Sequence, residues 1–344
     1  MTAAIGSFVM RPAATPPSPL PAAGGRTLSR ANAQRPLVTV HFGAHRTGST
    51  SIQTALADYA RAAGVGKIRM IGPDELRPDV TMIVNLLAAA PGLPFLATPL
   101  LLRWVAPSVH GALHAPGDSV VVSDEQFLGG QEQSLLEPRG LYPDARRRVE
   151  VVRWLLGGAT PRAVLTVRPY ADWFASAYAW TIVRAPLPEP RELAAQWARL
   201  PRGWPEVVRD IMAVFGACEV VDFATLRQRP RAVLRRLVGD AAADIEGRHD
   251  GRSLPARGVA EVLRRRAAGE PVDLGGLASL RRDFRQGRKF NPFTLDQRRA
   301  LNARYQRDLD EIAALGAGIR RPRATPQAAP GEAPATITNP RTLN

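Results

Sequence analysis

The sequence is poor in cysteine, lysine and aromatic residues. One cysteine, Cys218, excludes a disulfide framework and a zinc site built from several thiolates. Lys67 and Lys289 are the two lysines, so arginine supplies the other 44 of the 46 basic side chains. Aromatic residues make up 6% of the chain and follow no RNA-binding pattern. The histidines lack the spacing of metal ligands: His41, His45, His110, His114 and His249.

A long uninterrupted apolar run is also missing. The nearest candidate, Val80–Leu102, is broken by one asparagine, one glycine and three prolines. A membrane-spanning helix needs about 20 mostly apolar residues. The segment is better interpreted as a buried helix followed by a loop and a second helix. The N-terminal residues contain no continuous apolar region typical of a secretory signal, so we expect a cytoplasmic protein.

The overall composition is that of a globular protein with a strong positive charge. Apolar residues make up 45% and charged residues 22% of the 344 residues, and the net charge is +15. Such a field attracts polyanionic ligands of any kind. Because no nucleic-acid-binding motif accompanies the charge, an anionic small molecule is favoured over a specific nucleic acid as the partner.

The order of apolar segments predicts an α/β fold. Residues 1–35 and 319–344 are rich in proline and are expected to be a disordered leader and tail around one domain at 36–318. Near-continuous apolar runs alternate with helical patterns, which indicates three layers: a central parallel sheet with helices on both faces. A last helix is expected from about Thr294 to Leu315. The predicted strands are Leu37–Phe42, Lys67–Ile71, Ser119–Ser123, Ala163–Arg168 and Glu219–Phe223.

The loop after the first strand, HFGAHRTGSTSIQ (His41–Gln53), has the composition of a phosphate-binding loop. Gly43 and Gly48 allow close approach of the backbone, and Arg46 adds a fixed positive charge. A loop that opens a helix directs several N–H groups and the positive end of the helix dipole to one point. The alternative is a tight turn that binds nothing. The hydroxyl donors cluster here on Thr47, Ser49, Thr50 and Ser51.

The same loop departs from the Walker pattern of nucleotide kinases and ATPases. The spacing from Gly43 to Gly48 fits its first half, but Ser49 stands where the pattern has lysine. That lysine reaches the β- and γ-phosphates of a nucleoside triphosphate. Its absence disfavours a kinase.

A basic residue followed by [ST]-G-[ST]-T resembles the 5′-phosphosulfate loop of bacterial sulfotransferases. Members of that family use 3′-phosphoadenosine 5′-phosphosulfate (PAPS) and have a P-loop-like α/β fold. The resemblance implies that residues 47–51 hold the 5′-phosphate of PAPS. The family usually has lysine where this chain has Arg46. Arginine stabilises developing charge but is a poor proton donor.

A second motif, AVLTVRPYADWFASAYAW (Ala163–Trp180), extends this resemblance. Its predicted strand ends at Arg168, a helix begins near Pro169, and Ser176 lies eight residues after the arginine. An arginine at the carboxyl end of a strand and a hydroxyl on the next helix can converge on one phosphate, where open α/β sheets bind ligands. In sulfotransferases such a pair binds the 3′-phosphate of PAPS. The alternative is an amphipathic helix with an incidental serine.

The third predicted strand runs into three polar residues in SVVVSDEQF (Ser119–Phe127). Acidic groups at the open end of a parallel strand are well placed for a general base. The resemblance favours Glu125 as this base, with Asp124 and His45 as alternatives. A helix N-cap with neighbouring acids explains the same residues equally well. His41 is expected to pack within the sheet.

A basic segment near the end of the chain, RQGRKFNPF (Arg285–Phe293), resembles the family's loop over the 3′-phosphate. Arg285, Gly287, Arg288 and Lys289 are its candidate residues, and Arg288 is the expected cofactor ligand. A solvated basic loop is the alternative.

The sequence therefore predicts a PAPS-dependent sulfotransferase with Arg46 and Glu125 as catalytic residues and no required metal. The acceptor is a hydroxyl, or less readily an amine, of a small molecule, carbohydrate or lipid. Three poorly patterned regions are expected to form its pocket: 72–117, 128–158 and 240–288. The alternatives are a P-loop-type nucleotide kinase and a non-catalytic nucleotide-binding protein of the same fold.

Overall fold

A computed structural model describes residues 36–63, 67–89, 113, 119–157, 159–239, 253–272, 279, 282–284 and 287–320. The expected leader at 1–35, Arg285, and the tail beyond residue 320 lie outside the described residues, as do most of 90–118 and all of 240–252.

A parallel sheet of six strands forms the middle of the fold, which confirms the α/β prediction. Its order is β2-β3-β1-β4-β5-β6, and every neighbouring pair is parallel. All five predicted strands are present, with ends that move by one residue. The strands are β1 (Leu37–Gly43), β2 (Ile68–Ile71), β3 (Ser119–Ser123), β4 (Arg162–Val167), β5 (Glu219–Asp222) and β6 (Gly318–Arg320).

Two of the shifted strand ends lie at the site. β4 stops at Val167, so Arg168 is the first residue after the strand. β5 stops at Asp222, whose side chain caps the next helix by accepting from the N–H of Ala224, so Phe223 is helical. The strand β6 was not predicted, and it lies at the boundary between the predicted domain and the predicted tail.

Helices occupy the connections between the strands. They are α1 (Ser49–Ala63), α2 (Pro73–Leu76), α3 (Met82–Ala89), α4 (Gln131–Leu136), α5 (Ala145–Leu155), α6 (Tyr170–Thr181), α7 (Pro190–Arg199), α8 (Trp204–Phe215), α9 (Phe223–Gln228), α10 (Pro230–Val238), α11 (Ala256–Ala267) and α12 (Leu295–Ala314). A π-helical turn spans Arg77–Thr81 and a 3₁₀ turn spans Glu125–Leu128. Proline opens three of the helices, where its missing N–H costs nothing.

The last predicted helix is confirmed as α12. Thr294 and Gln297 form a reciprocal capping box at its start. Its buried face carries Leu301, Tyr305, Leu309 and Ile312, as the spacing predicts.

Two apolar cores cover the two faces of the sheet. Val122 and Leu165 point to one face, in the larger core with helices that include α5, α6 and α8. Val121 and Val164, one residue earlier on the same strands, point to the other face, where α1 and α10 pack. The central strands are buried on both sides and are therefore mostly apolar, whereas the edge strand β2 has an exposed side chain at Arg69.

The segment Val80–Leu102 is described only in part. Its helix α3 has the buried residues Ile83 and Val84, but Met82 and Leu86 are 50% and 58% exposed. The prediction of a wholly buried helix is therefore wrong for this face. The predicted second helix of the segment falls outside the described residues. No helix of the described residues has the length and apolarity required to cross a bilayer.

This topology places the loop after β1 at a switch point. β3 and β4 flank β1, while α1 packs on one face of the sheet and α6 on the other. In open α/β sheets the crevice at such a point, beyond the carboxyl ends of the strands, is where ligands bind. The loops that follow β1, β3 and β4 carry the residues that the sequence singles out.

Candidate functional site

The loop Ala44–Gly48 makes a tight connection between β1 and α1. Arg46 has a φ of 64° and Gly48 a φ of 92°, so the chain enters the left-handed region twice within three residues. The N–H of Thr47 donates to the carbonyl of Ala44 over 3.2 Å, which closes the turn. The first N–H groups of a helix have no intrahelical acceptor. The loop therefore presents the amino end of α1 to the crevice.

The predicted hydroxyl donors of this loop differ in exposure. Thr47 and Ser49 are buried, and both hydroxyls donate to the carbonyl of Ala44, over 2.5 and 3.4 Å. Ser51 is half-buried and Thr50 is exposed. The two inner hydroxyls thus hold the shape of the turn, whereas the first N–H groups of α1 have no acceptor within the helix and could meet an anion.

The two glycines of the loop allow contacts that a side chain would block. A Cβ on Gly43 would lie 2.3 Å from the hydroxyl oxygen of Ser49. A Cβ on Gly48 would lie 2.6 Å from Cδ2 of Leu226 on α9. The loop therefore packs closely against its own helix and against α9 at these two positions, and the predicted approach of its backbone to a phosphate stays a prediction.

The second motif meets the first at Arg46. The Nε of Arg46 donates to the hydroxyl of Ser176 over 3.0 Å, and Nη1 of Arg168 donates to the carbonyl of Arg46 over 2.7 Å. Nη2 of Arg46 donates to the hydroxyl of Ser253, which lies 2.5 Å from that of Ser176. Three residues that the sequence assigns to one site are thus in contact, and Ser253 joins them.

The guanidinium of Arg168 lies in a partly buried position. Its Cζ is 4.7 Å from the ring centroid of Phe223, a cation–π geometry. Burial lowers the pKa of Arg168, the nearby Asp172 raises it, and Arg227 lowers it. The Nε of Arg168 is buried and has no hydrogen-bond partner in the described part of the chain. An unpaired buried donor on a cation indicates a place for an anion.

Asp172 does not neutralise Arg168 by direct contact. Its Oδ1 accepts from Nη2 of Arg298 on α12 over 2.8 Å. This ion pair joins α6 to α12.

The late basic loop lies beside the segment that carries Ser253. Pro255 and Lys289 form an antiparallel bridge, and the N–H of Ala256 donates to the carbonyl of Arg288 over 2.9 Å. The side chains of Arg288 and Lys289 are exposed. The structure thus brings this loop to the neighbourhood of Ser253, but among the described residues no contact joins the Arg288 side chain to the cluster.

The acidic candidates stand on the other side of the loop, after β3. Glu125 accepts from Nη2 of Arg77 over 2.6 Å and from Nε2 of Gln53 on α1 over 3.4 Å. Its side chain is 20% exposed. Glu125 is therefore within reach of an acceptor that enters from the crevice beside α1.

Asp124 has a structural position. It is fully buried, and its side chain accepts from the N–H of Gln126 at the start of the 3₁₀ turn. Its other oxygen accepts from the hydroxyl of Thr81 over 2.8 Å. The N-cap interpretation is thus correct for Asp124, whereas Glu125 is the more accessible acid.

Aromatic side chains support the loop backbone, and the sequence motifs did not indicate them. The hydroxyl of Tyr142 accepts from the N–H of His45 over 2.9 Å, and Nε1 of Trp173 donates to the carbonyl of His45 over 2.7 Å. Trp204 donates in the same way to the carbonyl of Arg168. Buried rings therefore hold the backbone at His45 and at Arg168. No local sequence pattern indicates that an aromatic residue has this role.

His45 is neutral in this environment. Burial lowers its pKa to about 3; Asp124 raises it, and Arg77, Arg46 and Arg148 lower it. Burial is the largest cause of this shift, because a charged imidazole would lose its hydration here. A pKa so far below neutral makes His45 a weak general base.

His41 packs within the sheet, as predicted. It is fully buried, and its ring nitrogens lie 2.9 Å from the hydroxyl of Ser123 and 3.1 Å from that of Thr166. Burial lowers its pKa to about 4. It links β1 to both neighbouring strands beneath the loop.

The loops after β1, β3 and β4 thus bring together two arginines, several hydroxyl groups, the amino end of a helix and a partly exposed carboxylate. Arg168 and Ser176 could hold one anionic group and Arg46 with the amino end of α1 another, while Glu125 accepts from Gln53 of α1. Among the described residues, no group of three His, Cys, Asp or Glu side chains is arranged to hold a metal ion. No protein-family model and no curated protein matches this chain, so the case for its function rests on these residues.

Proposed function

We propose that this protein is a sulfotransferase that moves a sulfuryl group from PAPS to a hydroxyl of an acceptor. One observation carries the proposal: Arg46 contacts Ser176 and Arg168, although about 120 to 130 residues separate these partners in sequence. The family resemblance assigns Arg168 and Ser176 to the 3′-phosphate of PAPS on their sequence motif alone. Their meeting at the 5′-phosphate loop supports one nucleotide site.

The residues present suit such a nucleotide. The unpaired Nε of Arg168 offers a buried donor, and the hydroxyls of Ser176 and Ser253 add further hydrogen-bonding groups. The amino end of α1 would bind the 5′-phosphate, as helix termini generally bind phosphates. ATP lacks a 3′-phosphate, so this cluster would favour PAPS over ATP.

The chemical step requires one bond to form and one to break. The acceptor oxygen attacks sulfur, the bond from sulfur to the 5′-phosphate oxygen breaks, and 3′-phosphoadenosine 5′-phosphate (PAP) leaves. Glu125 would take the acceptor proton, and Arg46 with the loop N–H groups would stabilise charge on the departing phosphate. Alignment of the two substrates and charge stabilisation provide the catalysis, by analogy with phosphoryl transfer.

Calorimetric titration of the full chain with PAP and with ATP and Mg²⁺ tests this proposal. We expect PAP to bind at least about tenfold more tightly, because one extra charge-assisted hydrogen bond contributes roughly 1.5–3 kcal/mol. Equal affinities, or tighter binding of ATP with Mg²⁺, would favour the nucleotide kinase instead.

A second candidate, a nucleotide-binding protein without turnover, has one specific observation in its favour. The guanidinium of Arg46 is already engaged by Ser176 and Ser253, and arginine is a poor proton donor. Incubation with PAPS and a panel of hydroxyl acceptors separates the two candidates. Sulfotransfer by the wild type, faster in Arg46→Lys, supports the enzyme. Tight PAP binding without transfer in either protein supports the binding protein.

A further inference from the structure

Ser253 is a member of the site that neither motif contains. Its hydroxyl accepts from Nη2 of Arg46 over 3.0 Å, while the hydroxyl of Ser176 accepts from Nε of the same arginine over 3.0 Å. The two serine oxygens are 2.5 Å apart. One guanidinium therefore orients both hydroxyls, and the two serines hydrogen-bond to each other.

The two serines of this cluster have more hydroxyl hydrogens than acceptors in the described part of the chain. Each serine hydroxyl has one hydrogen to donate. One hydrogen is used between Ser176 and Ser253, and the second has no acceptor among the contacts of the described residues. Ser176 is only 3% exposed. The cluster therefore offers a hydroxyl donor next to a cation, an arrangement that suits an oxyanion.

Ser253 owes its place to backbone pairing with the late basic loop. Two residues after it, Pro255 bridges to Lys289, and the next N–H, of Ala256, donates to the carbonyl of Arg288. Gly287 packs closely on Pro255, since a Cβ there would lie 3.0 Å from the proline Cβ. This pairing anchors the segment that delivers the Ser253 hydroxyl to Arg46.

We propose that Ser253 is a specificity-determining residue of the nucleotide site. It orients Arg46 and, with Ser176, donates to the 3′-phosphate that distinguishes PAP and PAPS from a plain adenosine 5′-phosphate. This inference rests on the proposed function. It adds a residue from a region in which the sequence shows no motif, and it gives the bridge between Pro255 and Lys289 a role in recognition.

The test compares Ser253→Ala with Ser253→Thr, which keeps the hydroxyl. Ser279→Ala is the matched control, since the contact described for that hydroxyl is a 3.4 Å one from Arg282. Each protein is titrated calorimetrically with PAP and with adenosine 5′-phosphate. We expect Ser253→Ala to weaken PAP binding by about tenfold and to leave adenosine 5′-phosphate unchanged, because a single hydrogen bond to a charged group is lost. Ser253→Thr should restore most of the affinity for PAP.

The outcomes separate this inference from the function on which it rests. A wild type that prefers PAP, with a Ser253→Ala variant that binds both ligands as the wild type does, overturns the role of Ser253 alone. An equal loss of both ligands in Ser253→Ala identifies a merely structural serine and also overturns it. A wild type with no preference for PAP over adenosine 5′-phosphate rejects the proposed function and this inference together.

Discussion

Replacing Gly48 with alanine tests the close packing of the phosphate loop on α9. The φ of 92° would strain an alanine, at a cost of about 1–2 kcal/mol. The new Cβ would also lie 2.6 Å from Cδ2 of Leu226 and 3.2 Å from Cε2 of Phe223. Leu226 is only 6% exposed and has little room to move. Overpacking of this kind costs about 1–3 kcal/mol, so we expect a total loss of about 2–5 kcal/mol in the free energy of unfolding.

Gly216 provides the matched control for this experiment. It has a φ of 80°, and a Cβ there would meet no atom of the described residues within 4 Å. Gly216→Ala should therefore show the backbone cost alone, about 1–2 kcal/mol. Urea unfolding followed by circular dichroism gives both values. In addition, Gly48→Ala should weaken PAP binding, because relief of the clash moves Phe223 away from Arg168. If the two variants lose the same stability and both bind PAP normally, the described packing of loop and α9 is wrong.

Two further predictions concern protons at the site. Burial lowers the pKa of His41 from the ordinary 6.5 to about 4. Between these two pH values the imidazole is protonated in the unfolded chain and neutral in the folded protein. The free energy of unfolding that His41 contributes is therefore present above about pH 6.5 and falls by about 2 kcal/mol between about pH 7 and pH 5. His41→Gln should flatten that decline when urea unfolding is measured at the two pH values. An unchanged decline would contradict the assignment. Glu125→Gln should leave PAP affinity unchanged and slow sulfotransfer by about 10²-fold or more, whereas an unaffected rate would contradict the assignment of Glu125 as the base.

The sequence predicts the fold well because it shows both features typical of a parallel sheet, namely apolar strands and helical segments between them. The first five strands are short, mainly apolar runs with few exposed residues, and a helical pattern separates each from the next. The strand β6 has only three residues, with a glycine and an arginine around one isoleucine. So short an edge strand has no periodicity, and its pairing with β5 decides its structure.

The site could be predicted only where residue types and spacing carry a physical constraint. Arg46, Arg168 and Ser176 belong to turns that follow strands or to the helix after one, so the parallel topology alone brings them to one edge of the sheet. Tyr142 and Trp173 hold the loop through a hydroxyl and an indole N–H, and nothing in their neighbours indicates that role. These contacts depend on tertiary packing, which local spacing does not encode.

Ser253 could not be predicted from the sequence, for a different reason. It precedes α11 in a region without apolar periodicity, and its position depends on the bridge between Pro255 and Lys289. That bridge joins segments more than 30 residues apart, outside the reach of any local pattern. The inward turn of the Thr47 and Ser49 hydroxyls was likewise unexpected, because the left-handed φ of Arg46 sets it.

The most direct test of the central claim is PAP binding to Arg168→Ala, with Arg257→Ala as an exposed arginine control. Calorimetric titration should show a loss of about 10- to 100-fold in Arg168→Ala, because a buried charge-assisted contact to the 3′-phosphate is removed. Arg257→Ala should bind nearly as the wild type does. Unfolding in urea checks that the Arg168→Ala protein is folded at the temperature of the titration. Wild-type affinity in a folded Arg168→Ala protein would contradict the assignment of this site to a 3′-phosphorylated nucleotide.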